Sequence, residues 1–151
     1  MIDLSELERA NDGVSDTLTL TMSPQLFHQN LKRELAVAQR EGRDLSVLAI
    51  NLKPECFTSV GEFSEAMIAL AFLLRSQLRG GDFFARISDG GFWAVLHIGH
   101  DHDSEVAAVI ERLGLSDRTD LLHYIVARKK DSYDEWISRL DLIHFGTGTI
   151  A

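Results

Sequence analysis

Two periods divide the apolar positions of the chain. Residues 1–16 show neither: they are polar, carry the turn-forming pairs Asp12-Gly13 and Ser15-Asp16, and read as a lead-in or linker with a helical turn over 3–10. Leu18, Leu20 and Met22 then alternate with threonines, a period of two that predicts a short strand. Ser23-Pro24 opens a helix, since Ser is a good N-cap and Pro is tolerated at the first helical position. Its apolar face is Phe27, Leu31, Leu35 and Ala38, and Gly42 is placed to stop it. Leu45 to Leu52 is a mostly buried strand ended by Pro54. Ser64-Glu65 caps a second helix running to about Arg79, apolar nearly all round from Met67 to Leu78 and therefore sandwiched between other layers.

Gly80-Gly81 breaks that helix. Two β-rich runs, Phe83 to Ser88 and Gly91 to Ile98, flank Asp89-Gly90, one of the strongest hairpin signals a sequence offers, with positive φ expected at Gly90. A helix from Ser104 to Leu113 with Gly114 as its stop, a strand from Leu121 to Ala127, a helix from Asp134 to Ile143 and a tail complete the chain. From residue 45 onward the order is βαββαβ, a split βαβ arrangement in an α/β (α+β) domain whose central sheet is mainly antiparallel. The domain is placed at 17–151, after the lead-in at 1–16.

Composition narrows the function. With 151 residues, 45% of them hydrophobic, the chain builds one core without staples. Its formal charge of −8 argues against a DNA or RNA binder. The single cysteine, Cys56, excludes a disulfide framework and fits a reducing, cytoplasmic compartment. The N-terminus is acidic and polar, unlike a signal peptide, and the longest apolar run, Ala66 to Leu74, is too short for direct membrane insertion.

Arg79-Gly80-Gly81-Asp82 is the most informative tetrapeptide. The guanidinium is a fork of donors suited to phosphate or to the acceptor edge of guanine. The carboxylate accepts from guanine N–H groups, and the glycines allow close backbone approach. The same residues also make an ordinary helix end, with Arg79 on the helix C-terminus and Asp82 paired to Arg79. Arg86, in the hairpin, is a partner for Asp82 or for a phosphate.

Ala85 to Leu96 resembles the signature hairpin of the GGDEF, or diguanylate cyclase, family, in which A-R-x-G-G-D-E-F precedes an apolar strand. Ser88, Asp89, Gly90, Gly91 and Phe92 stand at the five signature positions. The family's inhibitory RxxD motif lies five residues before the signature, where this chain has Arg79 and Asp82, and the likeness extends over most of residues 18–145. The departures fall on the chemistry. Cyclisation needs carboxylates that hold divalent metal against a triphosphate. The family draws them from the end of the first core strand, here Asn51 with Lys53 beyond it, and from the hairpin, here Gly90 and Gly91. Asp89 is displaced by one position, which in a strand turns it to the opposite face.

The resemblance therefore implies a degenerate GGDEF domain that is not an enzyme and has no cofactor or metal. It is similar to the PelD- and BcsE-type receptors of cyclic di-GMP, which would place it in exopolysaccharide or cellulose secretion. The implied ligand is cyclic di-GMP, bound by Arg79, Asp82, Gly80, Gly81 and Arg86. The implied partner is a protein, a further domain or a second copy of the chain, which would supply another arginine. The alternative is a docking or dimerisation module that binds no nucleotide.

The remaining candidates carry less. His97, His100 and His102 with Asp101 and Asp103 make either a transition-metal loop or a solvated loop leading into a helix. Arg128-Lys129-Lys130 steers anions or is a solvated turn. Ser104 has no base near it in sequence. Trp136, Ile137, Leu140 and Ile143 form a stripe that reads as core.

Overall fold

The computed structural model describes residues 2–43, 45–77, 82–97, 107–108, 110–124 and 132–145. Within them lie α1 (Pro24–Glu41), β1 (Leu45–Leu52), α2 (Val60–Gln77), β2 (Phe83–Ser88), β3 (Gly91–His97), β4 (Thr119–Tyr124) and α3 (Tyr133–Phe145). The strands form one sheet in the order β2-β3-β1-β4 with every neighbouring pair antiparallel, as the split arrangement predicts.

Strand β1 sits between β3 and β4 and is apolar on both faces because both are covered. Leu45, Val47 and Ala49 pack with Phe27, Leu31, Leu35 and Ala38 of α1, Trp93 and Val95 of β3, and Trp136 of α3. Leu48, Ile50 and Leu52 pack on the opposite face with Phe63, Met67, Leu70, Ala71 and Leu74 of α2. Trp136 is fully buried, so that part of its stripe is core. Helix α1 has the ends its sequence predicts. Ser23 Oγ accepts from the Leu26 amide at 3.2 Å, and Gly42 takes φ +70° to close the helix on Ala38 and Gln39.

Helix α2 departs from expectation twice. It begins at Val60, and its cap is Ser59, whose Oγ accepts from the Glu62 amide at 3.1 Å. Ser64-Glu65 lies inside it. Nor is it sandwiched: Ile68 is 45% and Phe72 69% exposed. The helix covers one face of one sheet, and no second layer of the described residues covers its outer side.

The β2–β3 hairpin turns at Asp89-Gly90 as predicted, with Ile87 as an extra residue between the Arg86↔Phe92 and Ser88↔Gly91 pairs. The expected positive φ at Gly90 is not found. Glycine is needed there for room: a Cβ would lie 2.7 Å from Phe63 Cζ and 3.0 Å from the Leu52 carbonyl oxygen. Gly114 does take φ +70°, at the end of the helical residues 110–112, as its stop role requires.

The strand expected around Leu18 to Met22 is instead a turn with isolated bridges, one of them pairing Met22 with Ala85 on the edge of β2. Local side-chain bonds displace the ladder. Asp16 Oδ2 accepts from the Thr19 amide at 2.9 Å and its hydroxyl at 2.7 Å, and the Thr19 and Thr21 hydroxyls lie 2.8 Å apart. Leu20, at the tip, takes φ +58°. The lead-in is packed as well: Leu7 is buried in the α2-side core, with Ile2 and Leu4 against it.

Among the described residues no helix is long and apolar enough to cross a membrane. Cys56 is free and exposed.

Candidate functional site

Asp82 ends the connection out of α2 and stands immediately before Phe83, the first residue of β2. It is half-buried and lines a cavity of about 250 Å³ with Leu20, Thr21, Met22, Arg75, Phe83 and Phe84. Three parts of the chain thus meet there: the last turns of α2, the start of β2 and the Asp16–Met22 turn. Arg75 Nη2 ties two of them together, donating to the Leu20 carbonyl at 3.2 Å and reaching the Thr19 carbonyl at 3.5 Å. Arg75 is not marked as a site residue by the sequence, since the carbonyls that it bonds lie 55 and 56 positions away. Arg79, Gly80 and Gly81 lie outside the described residues.

Arg86 is placed elsewhere than expected. Strand alternation turns it to the α2 side of the sheet with Phe84, where its side chain is 4% exposed. Nη1 donates to Asp16 Oδ1 at 3.2 Å and to the Glu8 carbonyl at 2.6 Å. Nε and Nη2 donate to the Asp89 carbonyl at 3.2 and 3.1 Å. Its guanidinium is therefore engaged inside the fold, joining the N-terminal segment to the hairpin turn. Its backbone amide donates to Thr21 Oγ1 at 3.2 Å, so Arg86 also fixes one wall of the Asp82 cavity.

The signature hairpin is tied to the N-terminal segment. Asp89 lies in the turn, and both its oxygens accept from Arg9, at 2.7 and 2.8 Å. The Arg9 bond holds the Asp89 carboxyl below the usual carboxylate range against the opposing effect of burial. Asn51 is in register with Gly91 on one side and Asp120 on the other, and Lys53 Nζ lies 3.4 Å from Asp120 Oδ1. Among the described residues no three His, Cys, Asp or Glu side chains converge as metal ligands would. His100, Asp101, His102, Asp103, Ser104 and Arg128-Lys129-Lys130 lie outside the described residues.

No protein-family model matches the sequence, and no curated protein matches it. Solved structures do resemble the fold. A microbial GGDEF domain studied with bis-(3,5)-cyclic di-GMP superposes with a TM-score of 0.70 at 16% identity, over 88% of each chain. The GGDEF domain of DgcB from Caulobacter crescentus, in complex with c-di-GMP, gives 0.69 at 14% identity, over 93% of this chain and 92% of that one. The diguanylate cyclase SiaD from Pseudomonas aeruginosa, in complex with its activator SiaC, gives 0.68 at 16% identity, over 91% of this chain and 58% of that one. At these identities the likeness shows the fold: a four-stranded antiparallel sheet flanked by helices, as in GGDEF domains.

Proposed function

We propose that the chain is a catalytically inactive receptor domain for cyclic di-GMP, acting in the cytoplasm and passing the binding event to a protein partner or a further domain, as in the control of exopolysaccharide secretion. Arg79 donates to a guanine edge or phosphate, and Asp82 accepts from the guanine Watson–Crick N–H groups. Gly80 and Gly81 let the backbone approach the ligand, and Arg86 holds the hairpin behind the site. The supporting observation is that Asp82 opens onto a cavity shared with a second arginine, on a GGDEF fold, at the RxxD spacing. The absence of catalysis rests on Asn51, Gly90 and Gly91 at the positions where metal-binding carboxylates are needed, and on the capture of Asp89 by Arg9.

A nucleotide-independent docking module is the second reading, favoured by the outer face of α2. Ile68, Ala69, Phe72 and Leu73 form with Leu113 an apolar concavity of about 480 Å³. Thermal denaturation with cyclic di-GMP, and separately with GTP plus magnesium, distinguishes the readings. The receptor predicts a rise in Tm with cyclic di-GMP alone. A rise only with GTP and magnesium, accompanied by product, identifies a cyclase. No shift with either leaves the docking module.

A further inference from the structure

We propose that Arg75 is the second cation of the dinucleotide site and that the Asp16–Met22 turn is its outer wall, so that one side chain joins the ligand to the N-terminal segment. This inference rests on the receptor reading above. Cyclic di-GMP carries two phosphates and two guanines, and one arginine with one aspartate satisfies only part of it. The chain's charge of −8 disfavours a dianion at long range, so cations at the site decide whether it binds.

Arg75 lines the same cavity as Asp82. Its bonds to the turn use Nη2, and among the described residues Nε and Nη1 have no partner. A guanidinium has five N–H donors in a planar fork, so Arg75 can hold the Leu20 carbonyl on one edge and a phosphate on the other. The cavity, at about 250 Å³, is smaller than the roughly 300–1,000 Å³ of sites that enclose a drug-sized ligand, and takes one end of the dinucleotide.

The turn is built for a defined shape. Leu20 holds a left-handed conformation that disfavours residues with a Cβ, pinned by its amide on the Asp16 carbonyl at 2.8 Å, yet its apolar side chain is 69% exposed at the cavity. Strain of this kind persists only where surrounding bonds impose it. Here Asp16, Thr19 and Thr21 impose it, and Asp16 is itself held by the buried Arg86. The result sets an apolar surface beside Asp82, against which a purine face can lie.

The test is isothermal titration of the full chain with cyclic di-GMP, comparing wild type, Arg75→Ala, Arg75→Gln and Asp82→Ala. Arg75→Gln removes the charge, but its amide ends two bonds short of the Nη2 that reaches the Leu20 carbonyl, so hydrogen exchange at residues 16–22 without ligand is compared with wild type first, to separate loss of charge from loss of the turn. Both Arg75 variants are expected to bind at least about tenfold more weakly, with a shallower dependence on salt than wild type. Hydrogen exchange at residues 16–22 should slow when wild type is saturated and not when Arg75→Gln is. If Arg75→Gln binds as wild type does while Asp82→Ala is impaired, the assignment of Arg75 is overturned and the receptor reading stands. If wild type does not bind, both fall.

Discussion

Arg86 and Asp16, 70 positions apart in sequence, form an ion pair with only 4% and 5% of their side chains exposed, at 3.2 Å between Nη1 and Oδ1. The pair holds the N-terminal segment against the hairpin and shapes the turn that faces Asp82. Removing one member of such a pair strands the other charge in the interior.

Asp16→Ala is therefore expected to lose about 3–5 kcal/mol of stability, measured by urea denaturation. The double variant Asp16→Leu/Arg86→Met should recover only part of that loss, because it removes the stranded charge but leaves the Thr19 amide and the Glu8 and Asp89 carbonyls without these partners. A double variant as unstable as the two single losses added together would show that the pair is not the source of the effect.

Gly90→Ala should destabilise by about 1–3 kcal/mol through crowding of Phe63 and the Leu52 carbonyl. Adding Phe63→Leu should make the further cost of Gly90→Ala smaller, and only in part, because the Leu52 carbonyl is backbone and has less freedom to move. Equal costs of Gly90→Ala in the two backgrounds would place the strain elsewhere.

How much of this could be read from the chain depended on how local the cause was. Helix α1 was legible because its cap, apolar face and stop lie within twenty residues, from Ser23 to Gly42. The hairpin turn at Asp89-Gly90 was legible for the same reason. The start of α2 was misplaced because Ser64-Glu65 stands nearer the apolar run, although Ser59 and Glu62 form the S-x-x-E pattern that marks a helix start. The Leu18–Met22 alternation misled because a buried carboxylate, Asp16, offered the Thr19 amide a nearer partner than any strand. In the candidate site, the spacing of Arg79 and Asp82 was visible. Arg75 was not, because its contacts with Thr19 and Leu20 span 55 residues or more.

The pH dependence of stability should include a contribution from Asp89. Its pKa is lowered in the folded state, mainly by the Arg9 hydrogen bond, so the stabilisation is present above the unfolded carboxyl value and is lost as pH falls through the folded one. Wild type should therefore melt slightly above Asp89→Asn at neutral pH, with the gap closing as pH is lowered from about 4. The effect is small because the Arg9 and Asp89 side chains are 46% and 37% exposed, and it should shrink further in high salt. A gap that widens towards acid would contradict the assignment.

Isothermal titration of the wild-type chain with cyclic di-GMP, beside Arg79→Ala and Asp82→Ala, tests the central claim most directly. Losing one side of a charged, partly dry contact costs roughly 2–5 kcal/mol, or about 30-fold to a few thousandfold in affinity. The account predicts saturable micromolar binding by wild type, weakened to that degree in each variant, with all three proteins melting at similar temperatures. No binding by wild type, or equal binding by all three, would contradict it.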